Sequence, residues 1–257
     1  MEFHDRIAVV TGGCSGIGAA LARRLRDDGA RAVIVADIAL DHAPEGTHAR
    51  RCDVTSESDV ATLVMDVERE FGHIDLFCSN AGVFTPGWDL RTLDLAGWQR
   101  DWGVNVMAHA YAAKAVLPGM IARSEGYLLQ TLSAAALLAS PESAAYTTTK
   151  HAAMGLAEFL AFTYRRHGIR VSALCPMAVR TPLLEGLAAD GASAGLDGVL
   201  TADAVAGAAV EGMRAERFLI FPHPAVADYH AKKAGGEEKW LHQMEALQQR
   251  FTDAGRT

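Results

Sequence analysis

Short apolar runs alternate with segments of helical periodicity along most of the chain. Strand-length apolar runs occur at 6–10, 32–37, 49–54, 74–80, 126–133, 170–176 and 217–222. Predicted helices lie between them, at 16–29, at 56–72, in a long region ending near 124, at 143–168 and at 201–216. Apolar strands that each lead into a helix are typical of a parallel sheet covered on both faces. We therefore predict a Rossmann-type, doubly wound α/β fold with about seven parallel strands.

Two segments do not follow this alternation. Residues 182–200 are long for a loop between a strand and a helix, and they are rich in small residues. We expect them to form a mobile substrate loop. Residues 224–257 are expected to form a helical tail that is interrupted at Gly235 and Gly236. No Pro-, Gly- or Ser-rich linker divides the chain, so residues 1–257 are predicted to be a single domain.

Composition and charge exclude several classes of protein. Half of the residues are hydrophobic (50%) and 21% are charged, which favours a large buried core over disorder. The net charge of −7 disfavours nucleic acid or an anionic membrane as a partner. No apolar run has the length of a membrane span, and the first residues lack the pattern of a signal peptide. The four cysteines include no CxxC pair and the ten histidines show no metal spacing, so we expect a cytoplasmic protein without a metal site.

A glycine-rich turn follows the first predicted strand. Within the stretch TGGCSGIG, the residues Gly12, Ser15, Gly16, Ile17 and Gly18 lie where that strand leads into a helix. Glycines let the backbone approach a pyrophosphate, and the N-terminus of the helix offers unpaired N–H groups to the anion. The spacing is TGxxxGxG and differs from the GxGxxG fingerprint, so glycines that merely permit a tight turn are the alternative. We predict a dinucleotide site here.

Asp37 ends the second predicted strand, nineteen positions after Gly18. An acidic residue there can accept hydrogen bonds from the adenosine ribose hydroxyls. The same carboxylate would repel a 2'-phosphate, and no Arg or Lys occurs beside it in the neighbouring stretches CSG and DIAL. The sequence therefore predicts that NAD is preferred over NADP.

Further candidate cofactor contacts follow the next strands. Asp53 and Val54 come after the third strand, where the adenine edge could be recognised, although Asp53 could equally be a turn or N-capping aspartate. Asn80, Ala81 and Gly82 close the fourth strand with small side chains. Because open α/β sheets bind ligands at the carboxyl ends of their strands, we expect these residues to line the same cleft.

Tyr146 and Lys150 are four residues apart in a predicted helix and therefore lie on one face of it. Ser133 ends the fifth strand at the same edge of the sheet. A phenol with a pKa near 10 is a poor base at neutral pH. A cation about 4 Å away would favour the phenolate by about 4 kcal/mol at an effective dielectric of about 20. These residues are candidates for proton transfer.

Taken together, these motifs resemble the classical short-chain dehydrogenase/reductase family over residues 5–222. The resemblance is carried by TGxxxGxG at 11–18, NAG at 80–82, Asn105, Ser133 and YxxxK at 146–150. It implies that Tyr146 exchanges a proton with the alcohol or carbonyl oxygen and that Ser133 hydrogen-bonds this oxygen. It also implies that Lys150 holds the nicotinamide ribose and lowers the pKa of Tyr146, and that Asn105 supports a water linking the lysine to solvent.

The resemblance also assigns PMAVRT, residues 176–181, to the segment that holds the carboxamide. Pro176 begins this segment. Val179 is expected to contact the carboxamide through its backbone, and Thr181 through its hydroxyl. The chain departs from the family at Met177, where a glycine is usual. We expect NAD to bind still, with the methionine narrowing the substrate pocket or adding to its apolar lining.

The sequence thus predicts an NAD-dependent alcohol dehydrogenase or carbonyl reductase acting on a secondary alcohol or ketone. Residues 134–140, Met177, Leu183 and Leu184 suggest an apolar pocket for a bulky substrate, and no convergent basic cluster is evident. The alternatives are an epimerase of the extended group and a catalytically idle NAD-binding scaffold protein. The family is commonly a homotetramer, and the apolar face of residues 151–162 would suit such packing, which favours a tetramer over a dimer.

Overall fold

A computed structural model describes residues 1–185 and 192–253. Residues 186–191 of the expected substrate loop and residues 254–257 of the tail lie outside the described residues. The described strands are β1 (Ile7–Thr11), β2 (Ala32–Asp37), β3 (His48–Arg51), β4 (Leu76–Ser79), β5 (Gly126–Thr131), β6 (Ile169–Leu174), β7 (Val179–Arg180), β8 (Leu200–Thr201) and β9 (Leu219–Ile220).

Helices follow most of these strands. They are α1 (Gly16–Asp27), α2 (Glu57–Phe71), α3 (Leu95–Trp102), α4 (Ala108–Arg123), α5 (Ala144–Tyr164), α6 (Pro182–Glu185), α7 (Ala202–Arg214), α8 (Ala225–Ala234) and α9 (Glu237–Asp253). A π-helical turn, Gly103–Met107, joins α3 to α4. None of the helices described is long and apolar enough to cross a membrane.

Seven strands form one parallel sheet in the order β3-β2-β1-β4-β5-β6-β9. The strand order reverses between β1 and β4, and ligands of open α/β sheets bind beside the carboxyl ends of the strands at such a point. The predicted doubly wound, single-domain α/β fold is therefore confirmed.

The side chains of β1 show why both faces of the sheet are covered. Ala8 and Val10 pack into the apolar cluster that contains α1 and α7. Ile7 and Val9 point the other way, into the cluster that contains α2 and α4. All four side chains are buried because successive residues of a strand face opposite sides of the sheet and each side has its own helical layer.

The third strand is shorter than predicted. It ends at Arg51, although the apolar pattern suggested a strand at 49–54. The main-chain N–H of Cys52 still donates to the Asp37 carbonyl oxygen, at 2.9 Å. The chain then turns, because the Asp53 carboxylate accepts hydrogen bonds from Thr55. The last strand of the sheet is likewise reduced, to Leu219–Ile220.

The segment predicted to be a mobile loop includes several ordered pieces among its described residues. Helix α6 begins it, and β8 pairs with β7 near its end. Glu142 accepts hydrogen bonds from the main-chain N–H and the hydroxyl of Ser193, at 2.6 and 2.8 Å. Mobility of the whole segment stays a prediction. The tail contains α8 and α9, with the interruption at Gly235 and Gly236.

Candidate active site

The glycine-rich turn leads into the N-terminus of helix α1 at the cleft, where the first N–H groups of a helix have no partner within the helix. Helix α1 begins at Gly16, and the N-cap residue Ser15 makes no side-chain capping bond to the first helical turn. Gly12 and Gly16 have φ angles of +60° and +49°, which favour glycine. A Cβ at Gly18 would overlap the carbonyl oxygen of Gly12. The turn therefore depends on its glycines, and it fits a dinucleotide pyrophosphate.

Gly18→Ala should damage this turn selectively. The added methyl group has to displace the Gly12 backbone, so we expect the free energy of unfolding to fall by about 1–3 kcal/mol and NADH binding to weaken. Gly207→Ala is the matched control, since its Cβ would meet only Arg24, at 3.5 Å. It should be neutral or stabilise by up to about 1 kcal/mol. Urea denaturation and NADH fluorescence titration measure both effects, and wild-type behaviour of Gly18→Ala would contradict the proposed constraint.

Asp37 lies at the carboxyl end of β2 with its carboxylate held by main-chain donors. The N–H of Cys14 donates to Oδ2 at 3.1 Å, and the N–H of Ile38 donates to Oδ1 at 2.8 Å. These bonds fix the carboxylate in the lining of the cleft. Sequence reasoning missed that Arg51 pairs with Asp37 across the β2–β3 ladder. A cation therefore lies near this strand end although none is close along the chain.

Asp53 serves the turn that follows β3. Its Oδ1 accepts hydrogen bonds from the N–H and the hydroxyl of Thr55, at 2.9 and 2.7 Å. These bonds lower the pKa of the Asp53 carboxyl. Asp53 and Val54 also line the cleft, so the geometry favours the turn interpretation and leaves room for a cofactor contact.

Asn80 braces the glycine-rich turn. Its Nδ2 donates to the carbonyl oxygen of Thr11 at 3.0 Å, while the main-chain N–H groups of Asn80 and Ala81 reach the Thr11 hydroxyl at 3.0 and 3.2 Å. Asn80, Ala81 and Gly82 all line the cleft. The amide of Asn80 therefore joins the carboxyl ends of β1 and β4.

Tyr146 and Lys150 lie on the first turns of α5. Ser143 caps this helix by accepting a hydrogen bond from the N–H of Tyr146 at 3.0 Å. The Lys150 ammonium lies 5.5 Å from the centroid of the Tyr146 ring and donates to the Thr131 carbonyl oxygen at 3.3 Å. Ser133, which follows β5, lies close enough to hydrogen-bond the Tyr146 phenol. The fold thus brings Ser133, Tyr146 and Lys150 together.

Asn105 lies in the π-helical turn and is buried. Its side-chain amide pairs with the main chain of Val83 at 3.0 and 2.9 Å and also donates to the Thr149 hydroxyl at 3.3 Å. A Cβ at Gly82 would lie 3.6 Å from Asn105 Oδ1 and 3.7 Å from Lys150 Nζ. Asn105 therefore adjoins Lys150, and its role in holding a water stays a prediction.

Burial decides the direction in which the pKa of Tyr146 is shifted. Burial raises it to about 12, although the hydrogen bond with Ser133 acts in the opposite direction. Burial also lowers the pKa of Lys150 to about 8. The loss of solvation outweighs the hydrogen bond with Ser133, and the lowering by Lys150 that the family resemblance implied stays a prediction.

The segment 176–181 contributes to the lining of the cleft through Pro176, Met177, Val179 and Thr181. A Cβ at Gly16 would lie 3.0 Å from the Thr181 methyl group, so Thr181 packs against the glycine-rich turn. The N–H of Met177 donates to Nδ1 of the buried residue His223, at 3.1 Å. His223 therefore positions the backbone at Met177, a role that no motif in the sequence indicated.

Most of the predicted site residues line one cleft of about 1570 Å³, whereas Gly18 and Asn105 lie behind its lining, as does His223. Its opposite wall comes from the C-terminal helices, including Tyr229, Trp240, Met244 and Leu247, whose contribution the sequence reasoning missed. The available signal was the apolar spacing of residues 240, 244, 247 and 251 in α9. Among the described residues, no group of three or more His, Cys, Asp or Glu side chains could hold a metal ion.

Comparison with known proteins gives consistent similarities. A family model described as short chain dehydrogenase matches residues 6–191. The 1-deoxy-11-beta-hydroxypentalenate dehydrogenase of Streptomyces exfoliatus is 37% identical over 233 residues, which cover 86% of this chain and 84% of that protein. The cis-4-hydroxycyclohexanecarboxylate dehydrogenase of Sinomonas cyclohexanicum is 37% identical over 197 residues, covering 73% and 79%.

A solved structure is also similar over most of its length. The crystal structure of a short chain dehydrogenase/reductase from Burkholderia phymatum, in complex with NAD, has a TM-score of 0.82 and 27% sequence identity. The similarity covers 93% of this chain and 96% of that chain. The architecture is therefore shared well beyond the glycine-rich turn and the catalytic segment.

Proposed function

The chain belongs to the short-chain dehydrogenase family, and on this premise we propose that it is an NAD-dependent dehydrogenase of a secondary alcohol, or reductase of the matching ketone. The observation that carries the proposal is the meeting of Ser133, Tyr146 and Lys150 at the carboxyl edge of the sheet, beside Gly82. Oxidoreductase activity follows from the family, and the preference for NAD is supported by the Asp37 carboxylate in the cleft lining.

The cleft contains groups suited to each part of NAD. The helix α1 N-terminus would hold the pyrophosphate, Asp37 the adenosine ribose, Lys150 the nicotinamide ribose, and Val179 with Thr181 the carboxamide. Bound NAD would supply the hydride acceptor for an alcohol, and NADH the hydride donor for a ketone.

Tyr146 would move the proton of the reaction. Its hydroxyl oxygen would take the proton of the alcohol during oxidation and return one to the carbonyl oxygen during reduction. Ser133 would hydrogen-bond the same substrate oxygen. The Lys150 ammonium, close to the Tyr146 ring, would stabilise the phenolate as it forms. Asn105 would position this region through Val83 and Thr149.

The substrate end of the cleft favours a bulky apolar or cyclic alcohol. Leu138, Met177, Leu183 and Leu184 line it from one side and Trp240 from the other. The Sinomonas relative is named for a hydroxylated cyclohexane ring, which is a cyclic secondary alcohol. We therefore infer that a ring bearing the reacting hydroxyl is the best first test substrate.

Two other functions are less well supported. Ser133, Tyr146 and Lys150 lie next to one another, an arrangement that a catalytically idle NAD-binding scaffold does not require. An extended-group epimerase is disfavoured by the TGxxxGxG spacing of the glycine-rich turn at 11–18. Alcohol oxidation therefore accounts for more of the observed geometry.

A screen of NAD+ reduction over cyclic and linear secondary alcohols tests the proposed function. We expect absorbance at about 340 nm to rise with at least one cyclic secondary alcohol and NAD+, because the reduced nicotinamide absorbs there. The reverse reaction, with NADH and the corresponding ketone, is the matched assay. If every alcohol and ketone fails with NAD(H) and NADP(H) while NADH still binds, the scaffold function would replace this proposal.

We also propose that the chain forms a homo-oligomer, with a tetramer favoured over a dimer, through α4 and α5. Phe159 and Phe162 of α5 are 50% and 70% exposed and contact each other edge to face. Phe162→Glu should reduce the molar mass measured by light scattering to that of a smaller assembly, since a buried charge opposes apolar packing. Phe251→Leu is a control away from this face, and a wild-type protein that is already monomeric would contradict the proposal.

The cellular location is part of the same proposal. Cys14, Cys52, Cys78 and Cys175 are all buried free thiols, a state suited to a reducing cytoplasm. The proposed partners are a small-molecule alcohol or ketone and further copies of this chain, with no role for nucleic acid or a membrane.

A further inference from the structure

The C-terminal helix α9 presents two rows of side chains to the cleft. Residues four, seven and eleven positions apart lie on one side of a helix. The apolar row is Trp240, Met244, Leu247 and Phe251, and the neighbouring row is Lys239, Gln243, Ala246 and Arg250. Seven of these eight residues line the cleft, while Phe251 is buried and packs against Trp88 with ring centroids 5.9 Å apart.

Several contacts attach this wall to the substrate end of the cleft. The indole N–H of Trp240 donates to the Leu138 carbonyl oxygen at 3.3 Å, and Lys233 donates to the Leu137 carbonyl oxygen at 2.8 Å. Leu137 and Leu138 lie four and five residues after Ser133 along the chain. The helix therefore covers the region in which the body of a substrate would extend away from Ser133.

The charged residues of α8 and α9 are segregated by sign. Three cations, Lys232, Lys239 and Arg250, line the cleft. The described acidic residues of the two helices do not line it; they are Asp228, Glu237, Glu238, Glu245 and Asp253. A solvated helix face would mix both signs, and the chain as a whole has a net charge of −7. The cationic rim is therefore a local feature.

The cations on this rim are available to a ligand. Within the described part of the chain, Lys239 and Arg250 form no hydrogen bond or ion pair, and Lys232 lies over the ring of Tyr229. Four acids from other parts of the chain line the cleft: Asp37 and Asp53 follow β2 and β3 at the proposed cofactor end, and Glu142 and Asp197 already have partners. Glu142 accepts from Ser140 and Ser193, and Asp197 accepts from Tyr229 at 3.1 Å.

We propose that α9 recognises a carboxylate on the substrate, remote from the reacting hydroxyl. The apolar row would pack against the body of the substrate, and Lys239 with Arg250 would attract the anion at the mouth of the cleft. The two cations are eleven residues apart, about 16 Å along the helix, so only one of them can contact the anion directly and the other adds to the positive potential at the mouth of the cleft. One direct cation suits a singly charged carboxylate better than a dianionic phosphate. This inference rests on the proposed function, and it makes the substrate class a hydroxy acid with an apolar ring or chain.

Binding experiments test the inference independently of turnover. Trp88 and Trp240 line the cleft, so their fluorescence should report titration with cyclohexanecarboxylate and with its methyl ester in the presence of NADH. We expect the wild type to bind the carboxylate at least about fivefold more tightly than the ester. This ratio of affinities should fall as the salt concentration rises to about 0.5 M. The double variant Lys239→Gln/Arg250→Gln should bind the carboxylate no more tightly than the ester and should keep the wild-type affinity for the ester.

Glu245→Gln is the matched control, because it changes one charge on the same helix away from the cleft lining. It should retain the discrimination. Equal binding of acid and ester by the wild type would overturn the inference, as would a double variant that still discriminates. Much tighter binding of cyclohexyl phosphate than of the carboxylate would also overturn the assignment of a carboxylate.

Turnover then separates this inference from the proposed function. In the alcohol screen, hydroxycyclohexanecarboxylates should have a lower KM than their methyl esters, and the double variant should raise the KM of the acids alone. Oxidation of neutral alcohols with no preference for acids would contradict only the inference. Carboxylate binding without oxidation of any alcohol would contradict only the proposed function.

Discussion

Tyr146→Phe is expected to lower kcat by about 10²- to 10⁴-fold while NADH binding is retained, because the variant lacks the hydroxyl that would exchange the proton. The phenylalanine keeps the ring that packs against Phe84 with centroids 4.9 Å apart. It also keeps the ring beneath the Lys150 ammonium. The loss should therefore appear in kcat and leave the fold intact, which steady-state kinetics and NADH fluorescence titration can measure.

Tyr127→Phe is the matched control. Tyr127 is also buried, and its hydroxyl hydrogen-bonds Ser172 at 2.7 Å, far along the sheet from the cleft lining. This variant should lose about 1 kcal/mol of unfolding free energy with little change in kcat. A Tyr146→Phe variant that keeps wild-type turnover would remove Tyr146 from the mechanism.

The same reasoning predicts the pH dependence of the wild type. Oxidation needs the Tyr146 phenolate, and because burial raises the pKa to about 12, the phenolate is scarce at neutral pH. The oxidation rate should therefore rise with pH through the alkaline range. Reduction needs the protonated phenol, which predominates below that pKa, so the reduction rate should not rise with pH.

Lys150 should limit the rise in the oxidation rate. Its pKa is lowered to about 8, so it loses its charge over the same alkaline range. An oxidation rate independent of pH would contradict this account.

Asp37→Asn should lower the preference for NAD over NADP by about 5- to 150-fold. A carboxylate about 5 Å from a 2'-phosphate opposes its binding by about 1–3 kcal/mol, depending on solvent exposure. Asparagine removes the charge and keeps a similar shape, so the contacts with the N–H groups of Cys14 and Ile38 are partly preserved. The measurement is the ratio of kcat/KM for the two cofactors.

Arg51 sharpens this prediction because it pairs with Asp37 across the sheet. Once the carboxylate is neutralised, we expect Arg51 to be a candidate cation for the 2'-phosphate, reaching it from just outside the cleft lining. The double variant Asp37→Asn/Arg51→Gln should therefore lose most of the NADP activity gained by Asp37→Asn. Asp41→Asn, an exposed acid outside the cleft lining, is the control and should change the ratio little. A wild type that uses NADPH as well as NADH would show that Asp37 does not select the cofactor.

The sequence alone determined features that depend on local periodicity. The run of apolar strands and helices predicted the doubly wound sheet, because buried parallel strands and amphipathic helices have different repeats. The glycine-rich turn and the four-residue spacing of Tyr146 and Lys150 could also be predicted, because both are local patterns in the sequence. Each of these features lies within one element or one turn.

Only the tertiary structure decided which distant segments meet. Arg51 lies opposite Asp37 in the register of β2 and β3, His223 hydrogen-bonds the main chain of Met177, and α9 covers the cleft beside Leu138. Such contacts depend on how elements pack, and residues far apart along the chain carry no shared periodicity that would reveal them. The cationic rim has the same origin, since the local sequence of α9 shows charges of both signs and only its packing selects the row that faces the cleft.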